Sequence, residues 1–106
     1  MMAPSHLKVH TSALERLMKE RTMYLKEVEE GSKQIEEMKL REAESYEIKK
    51  QEELVRESQR AIVAVDIKLE KEKKCLSDII LDYDGAESLE AAKDVLKRYE
   101  IVFGAR

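Results

Sequence analysis

Histidine and cysteine, which often act as bases, nucleophiles or metal ligands, are rare in this 106-residue chain. Two histidines, His6 and His10, lie near the N-terminus, and the one cysteine, Cys75, follows two lysines. Neighbouring positive charge can make a thiol more reactive, so a redox-sensing Cys75 is one interpretation. The alternative, which we favour, is a thiol on the surface or at the edge of a helical core. We expect both histidines to be surface residues in or near a mobile N-terminal segment.

Residues 82–85 resemble the start of a calcium-binding loop. An EF-hand needs a glycine at its sixth position and a glutamate at its twelfth, but Glu87 and Lys93 occupy those positions. The calcium interpretation therefore fails, and Gly85 is better explained as a residue that ends a helix. No phosphate-binding glycine loop, metal-ligand spacing or nucleophile motif occurs in the sequence. We therefore expect a protein that is not an enzyme and has no cofactor or metal.

The composition favours long helices joined by a narrow apolar seam. Charged residues make up 41% of the chain, aromatic residues make up 5%, and tryptophan is absent, which is typical of coiled coils. The formal net charge of −3, with both signs interleaved, argues against a basic face for nucleic acid. The sequence has no apolar run of membrane-spanning length, no apolar signal segment and only one cysteine. We therefore expect a single cytoplasmic domain.

Heptad spacing predicts a first helix over about residues 10–42, preceded by a flexible tail of residues 1–9. Thr11 or Ser12 is the expected N-cap, because a hydroxyl there can accept a hydrogen bond from a free backbone N–H. Arg21 and Gly31 interrupt the apolar seam of this helix. Gly31 weakens the helix by about 1 kcal/mol relative to alanine, but it allows a neighbouring helix to come close.

A second helix is predicted over about residues 45–83, with Ser45 as its N-cap. Six residues recur at every seventh position without a gap: Ile48, Val55, Ile62, Leu69, Leu76 and Tyr83. Such a regular repeat predicts a helix that packs along one side. Ser58 and Glu72 are polar residues at the second set of seam positions, where they either specify the register or face solvent.

A third, shorter helix completes the predicted fold. Gly85 is expected to end the second helix in the left-handed conformation, and the third helix is predicted over about residues 86–103. The residues expected to be buried there are Leu89, Ala92, Leu96, Tyr99 and Phe103. Because the linker between the first two helices is short, they should be antiparallel. The predicted fold is therefore all-α, an elongated antiparallel three-helix bundle with coiled-coil-like heptad packing. One end would be three helices thick and the other only two, so its apolar residues would be more exposed.

Several segments resemble one known family. Residues 16–20 (RLMKE) and 23–27 (MYLKE) resemble the first-helix motif of the tubulin-binding cofactor A family, and residues 46–53 (YEIKKQEE) are similar to its second-helix segment. Residues 57–60 (ESQR) and 68–70 (KLE) follow in the right order. The likeness covers about residues 7–83, and the third helix agrees by length and pattern.

This resemblance implies a tubulin-folding cofactor. Such a protein binds β-tubulin after its release from the cytosolic chaperonin and supports assembly of the tubulin heterodimer. It would be cytoplasmic and cytoskeleton-associated, with other tubulin-folding cofactors as further candidate partners and with no nucleic acid or membrane partner. Either a monomer or a homodimer is compatible with the sequence.

We expect the partner to bind exposed helical faces. The candidate partner-binding residues are Lys19, Tyr24, Lys26, Tyr46, Lys49, Lys50 and Arg60. The basic side chains would supply local positive charge for an acidic partner, and the tyrosines would anchor the contact. In the alternative interpretation both tyrosines pack inside the bundle, and Tyr24 is the stronger case because it lies on the seam.

The sequence departs from the family pattern in the middle of the second helix. Relatives often carry a proline after the isoleucine in the middle of the second helix, whereas Val63 follows Ile62 here. We therefore expect no proline kink.

A spectrin-like structural repeat is one rival function, although such repeats usually contain a core tryptophan and occur in tandem. The other rival is a homo-oligomeric coiled-coil adaptor that pairs through its two-helix end.

Overall fold

The computed structural model describes residues 5–104, which form the helices α1 (His6–Leu40), α2 (Ser45–Leu81) and α3 (Glu90–Phe103). No strand occurs among these residues, and the predicted all-α class with two long helices and a shorter third is confirmed. The described residues form two compact units. Unit 1 comprises residues 5–19 and 67–104, and unit 2 comprises residues 20–66. That the chain folds as a single domain stays a prediction.

Unit 1 contains an apolar core made by all three helices. Its buried residues are Leu7, Leu14, Leu17, Leu69, Leu76, Ala92 and Val95. Leu69 and Leu76, which belong to the predicted seven-residue repeat of the second helix, are among them. Ion pairs join α3 to the other helices, since Arg98 Nη2 lies 3.6 Å from Glu15 Oε1, and Lys73 Nζ lies 4.0 Å from Glu100 Oε1.

The buried face of α3 differs from the prediction. Of the five residues expected to be buried, only Ala92 is. Leu96, Tyr99 and Phe103 are half-buried, as is Leu89, which precedes the helix. Val95 is fully buried but was absent from the predicted set. The prediction followed a strict seven-residue repeat. The face that α3 buries instead includes Ala92 and Val95, which are three residues apart, as in a helix that packs on a globular core.

Unit 2 is an antiparallel pair of helical segments. The Gln51 side-chain N–H donates to Gln34 Oε1 at 2.9 Å, and Ser58 Oγ donates to Glu27 Oε2 at 3.2 Å. A step of seven residues forward on α1 thus matches a step of seven residues back on α2, which confirms the antiparallel arrangement. Most seam residues of unit 2 are only half-buried, as predicted for a part of the chain with two helices.

The polar residues of the seam are bonded across the helix pair. Arg21 Nε lies 2.6 Å from Asp66 Oδ1, and Glu72 Oε2 lies 2.7 Å from His10 Nδ1. Ser58 makes the contact with α1 described above. The sequence left open whether these residues specify the register or face solvent. Their interhelical bonds favour the first role, because each bond is lost when the pair shifts by one heptad.

The start of α1 differs from the prediction. The helix begins at His6, and Leu7 is only 4% exposed, so the flexible tail is wrong for residues 6–9; residues 1–4 lie outside the described residues. Ser5 caps the helix, because its Oγ accepts from the Lys8 backbone N–H at 3.2 Å and donates to Glu87 Oε2 at 2.9 Å. Thr11 is not the cap, since its hydroxyl donates to the Leu7 carbonyl within the helix.

The end of α1 is a Schellman motif that contains a glutamate in place of the usual glycine. Glu42 has a φ of 55°, which is the left-handed conformation. The Ala43 N–H donates to the Met38 carbonyl at 2.9 Å, and the Glu42 N–H donates to the Lys39 carbonyl at 3.2 Å. These two bonds satisfy carbonyls that would otherwise lack a partner at the helix end.

The connection between α2 and α3 is longer than predicted. The second helix ends at Leu81 and the third begins at Glu90, so the expected boundaries at 83 and 86 are wrong. Gly85 does not adopt a positive φ, so its predicted left-handed cap is also wrong. A Cβ atom at Gly85 would lie 2.5 Å from the Tyr83 hydroxyl oxygen, and that oxygen accepts from the Glu87 N–H at 3.0 Å. Gly85 therefore leaves room for the Tyr83 ring.

Candidate protein-binding surface

The exposed side of α2 in unit 2 brings together three of the seven predicted partner-binding residues. Lys49 and Lys50 follow Tyr46 by three and four residues, so both lie on the same side of the helix as Tyr46. The seam residue Ile48 is half-buried while these three are exposed, and Tyr46 retains 69% of its accessible surface. Within the described part of the chain, neither lysine forms an ion pair. Their charges are therefore available to an acidic partner.

Leu54 extends this surface and was not among the predicted residues. It follows Lys50 by one helical turn and is 51% exposed. Its signal in the sequence was that of a large apolar residue outside the heptad positions. We call Tyr46, Lys49, Lys50 and Leu54 the α2 surface. It combines an aromatic ring, two cations and an aliphatic side chain, a mixture suited to binding protein.

Tyr24 lies in a groove between the two helices of unit 2. The groove is also lined by Gly31, Leu54, Val55 and Ser58. Tyr24 is half-buried there, which agrees with its seam position and with the interpretation that it packs within the helix pair. Leu54 belongs to both the groove and the α2 surface, so the two are continuous.

Arg60 lies farther along the exposed side of α2 in a cluster with Glu53 and Arg56. Arg56 Nη2 lies 2.9 Å from Glu53 Oε2, and Arg60 Nη1 lies 3.4 Å from Glu53 Oε1. The Arg56 hydrogen bond and charge, together with the Arg60 charge, hold the pKa of Glu53 below its ordinary value of 4.5. Glu53 therefore stays ionised and offsets part of the positive charge of Arg60.

The remaining two predicted residues lie on α1. Lys19 belongs to unit 1 and Lys26 to unit 2, and both are exposed. Both occupy the heptad position farthest from the seam. Lys26 therefore lies on the outer side of α1, whereas Lys49 and Lys50 lie on the outer side of α2. A single flat contact does not reach both sides of the pair.

Metal-binding and membrane-spanning features do not occur in the part of the chain that the structure describes. In residues 5–104, no group of three or more His, Cys, Asp or Glu side chains is arranged to hold a metal ion. None of the helices found there is long and apolar enough to span a membrane.

The α2 helix continues unbroken through Val63, the position at which the resemblance raised the question of a proline kink. Val63 is 61% exposed and adds a second apolar residue to the outer side of α2. The absence of proline at this position therefore leaves the backbone hydrogen bonds of a regular helix in place.

The chain is similar in sequence to several proteins with the same name, tubulin-specific chaperone A. Tubulin-specific chaperone A from mouse is 38% identical over 93 residues, which cover 85% of this chain and 86% of the mouse protein. The human protein is 36% identical with the same coverage. The protein of that name from Saccharomyces cerevisiae is 28% identical over 96 residues, which cover 90% of this chain and 91% of the yeast protein.

A solved structure shows the same fold. It is described as a β-tubulin binding post-chaperonin cofactor, and it matches with a TM-score of 0.85 over 95% of this chain and 100% of its own. Sequence identity to that chain is 24%, so this likeness concerns the fold alone. The family model for tubulin binding cofactor A matches residues 2–96. The extent of that match and the identity to the mammalian proteins agree with each other, and the chain belongs to the tubulin binding cofactor A family.

Proposed function

We propose that this protein binds β-tubulin after its release from the cytosolic chaperonin and supports assembly of the tubulin heterodimer. The observation that carries the proposal is the family match over residues 2–96. Relatives with the name tubulin-specific chaperone A support it. The protein acts in the cytosol by binding and not by catalysing a reaction.

We place the principal contact on the α2 surface. Lys49 and Lys50 attract an acidic partner, while the exposed apolar surface of Tyr46 and Leu54 is buried on binding. Charged side chains at the edge of a contact mainly raise the association rate, and buried aromatic side chains mainly slow dissociation. Arg60, Lys26 and Lys19 add attraction at longer range. Tyr24 contributes from the groove that adjoins Leu54.

The first test is complex formation with tubulin subunits. The protein is passed through a size-exclusion column with light-scattering detection, alone and mixed with β-tubulin that has been released from its heterodimer. We expect a complex with β-tubulin and none with α-tubulin. If no complex forms at micromolar concentrations, the proposed function is wrong and the adaptor function becomes the leading candidate.

The second test maps the contact. The double substitution Lys49→Glu/Lys50→Glu reverses two charges on the α2 surface and should weaken β-tubulin binding at least about tenfold, or about 1.4 kcal/mol. The matched control is Lys93→Glu/Lys97→Glu, which changes the charge equally at exposed positions of α3. Equal affinities for the two variants would remove the lysines of the α2 surface from the contact.

The mass of the protein alone tests the rival adaptor function. A homo-oligomeric adaptor would show a mass that rises with concentration, through pairing of the apolar residues exposed in unit 2, such as Met23 and Leu54. We propose a monomer as the form that binds β-tubulin. A stable dimer that also binds β-tubulin would retain the cofactor function and change only its stoichiometry.

A further inference from the structure

Three side chains in unit 1 form a connected set outside the α2 surface. His10 on α1 lies between two residues of α2: its Nδ1 is 2.7 Å from Glu72 Oε2, and its Nε2 is 3.8 Å from Cys75 Sγ. Glu72 and Cys75 are three residues apart and so lie on the same side of α2. His10 was expected to be a surface residue in or near a mobile N-terminal segment, but it is half-buried and contacts α2.

The order of the three groups is that of a nucleophile, a base and a residue that orients the base. An ionised carboxylate can only accept hydrogen bonds, so the contact with Glu72 places the imidazole proton on Nδ1. In the neutral ring Nε2 then carries the lone pair, 3.8 Å from Cys75 Sγ, and the thiol can donate to it. His6 stacks on the imidazole, with ring centroids 6.3 Å apart and planes inclined by 11°. The ring is thus held by contacts on its edge and on its face.

The thiol is accessible as well as positioned. Cys75 is half-buried, and the side chains of His10 and Glu72 retain 23% and 26% of their accessible surface. A small reagent can therefore reach the sulfur without the unfolding of unit 1. This exposure separates Cys75 from core residues such as Leu76, which is fully buried beside it.

Exposed lysines outnumber exposed carboxylates on α2 near the sulfur. Lys71 precedes Cys75 by one helical turn and Lys68 by two, and Lys74 is its neighbour in sequence; all three are exposed. Among the described residues, none of the three is in an ion pair, whereas Lys73 is 4.0 Å from Glu100. Glu72 is held by His10. Glu70 and the exposed Asp78, one helical turn after Cys75, offset part of the lysine charge. The surroundings favour an anionic reagent over a neutral or cationic one.

We propose that Cys75 is a site of reversible thiolation by anionic low-molecular-weight disulfides, of which oxidised glutathione is the probe. Cys75 Sγ attacks one sulfur of the disulfide while His10 Nε2 takes up the thiol proton. A new S–S bond forms and the disulfide of the reagent breaks. The departing thiolate receives the proton from His10, so the products are the mixed disulfide at Cys75 and one free thiol. Glu72 is a positioning residue, and the process is independent of the proposed binding to β-tubulin.

The test compares rates of modification in matched variants. Purified protein is treated with oxidised glutathione at about pH 7 and about pH 9.5, and the mixed disulfide is followed by intact mass. We expect one adduct per chain, none in Cys75→Ser, and release of the adduct by a reducing thiol. His10→Gln should lower the rate at least about tenfold near pH 7. A general base commonly accelerates a reaction by about a hundredfold or more, so this expected loss is a conservative one. Glu72→Gln should give an intermediate loss.

The comparison of the two pH values separates base catalysis from altered folding. At about pH 9.5 hydroxide in the solvent can remove the thiol proton without the histidine, so the variants should react within about twofold of the parent. A loss in His10→Gln that is equal at both pH values would show a change in access and overturn the proposal. Equal rates for parent and His10→Gln near pH 7 would overturn it as well.

Charge variants give a readout that does not depend on the histidine. Lys71→Gln/Lys74→Gln should slow the reaction with oxidised glutathione severalfold and leave the reaction with neutral iodoacetamide unchanged. Lys49→Gln/Lys50→Gln in unit 2 is the matched control and should alter neither rate. Equal slowing by the two pairs would contradict the local role of the lysines. Cys75→Ser should still bind β-tubulin, so failure of this proposal and failure of the proposed function are distinguishable.

Discussion

Gly31 is buried in unit 2 against the neighbouring helix. A Cβ atom at this position would lie 2.6 Å from Val55 Cγ2, which is closer than real carbon atoms approach. Alanine would improve the helix propensity of α1 by about 1 kcal/mol, but overpacking typically costs about 1–3 kcal/mol. We therefore predict that Gly31→Ala lowers the free energy of unfolding by about 1 kcal/mol in urea denaturation.

The combination with Val55→Ala tests the cause. Val55→Ala alone should destabilise unit 2 by removing two methyl groups. In the double variant the alanine at position 31 has room, so the combined loss should be about 1 kcal/mol smaller than the sum of the two separate losses. Additive losses, or a more stable Gly31→Ala variant, would contradict the contact between Gly31 and Val55.

At the scale of the helices, the left-handed conformation of Glu42 means that a substitution at the end of α1 can stabilise the protein. A non-glycine residue in this conformation carries a steric cost that glycine avoids, while glycine loses more chain entropy on folding. We predict that Glu42→Gly raises the free energy of unfolding by about 0.5–1 kcal/mol, measured by thermal and urea denaturation. The matched control is Glu37→Gly within α1, which should lower it by about 1 kcal/mol. Loss of stability in Glu42→Gly would contradict the Schellman geometry.

Heptad spacing was sufficient to predict the number, type and approximate length of the helices, because an apolar residue at every seventh position keeps one side of a helix against its neighbour. The helix ends were less predictable. The cap of α1 depends on Ser5 and on Glu87, 82 residues away, and no local pattern contains that partner. Glycine preference assigned the left-handed conformation to Gly85, but the chain places it at Glu42.

The two candidate sites also differ in how far the sequence predicts them. Lys49 and Lys50 could be assigned to the outer side of α2 because the seam residues around them were clear in the sequence. Cys75 could not be connected to His10, which is 65 residues away and was expected to lie near a mobile tail. Contacts between helices depend on rotation and register, and the seven-residue repeat leaves the register open by whole heptads.

At the scale of the whole molecule, the division into two units predicts that a substitution in the core of one unit destabilises that unit more than the other. Val95 is fully buried in unit 1, whereas Val102 on the same helix is 56% exposed. Val95→Ala should cost about 2 kcal/mol, and Val102→Ala should stay within about 0.5 kcal/mol. Native-state hydrogen exchange should show the loss of protection from Val95→Ala in residues 5–19 and 67–104, and much less in residues 20–66.

Two outcomes of the exchange experiment would contradict this prediction. Equal loss of protection in both units would mean that the described chain opens only as a whole, which agrees with a single cooperative domain. Loss confined to α3 would mean that α3 detaches without disturbing the segments of α1 and α2 in unit 1. The Val102→Ala variant controls for any direct effect of a smaller side chain on helix propensity.

The make-up of the two units also determines the order in which a ribosome can complete them. Unit 2 is one continuous stretch, residues 20–66, and its two helical segments can pair as soon as that stretch has left the exit tunnel. Residues 5–19 are made earlier, yet their partners in α2 and α3 are translated later than all of unit 2. These early residues are therefore among the last to find their native contacts. During translation the leucines of early α1 stay uncovered and must be kept from aggregating until α3 is released.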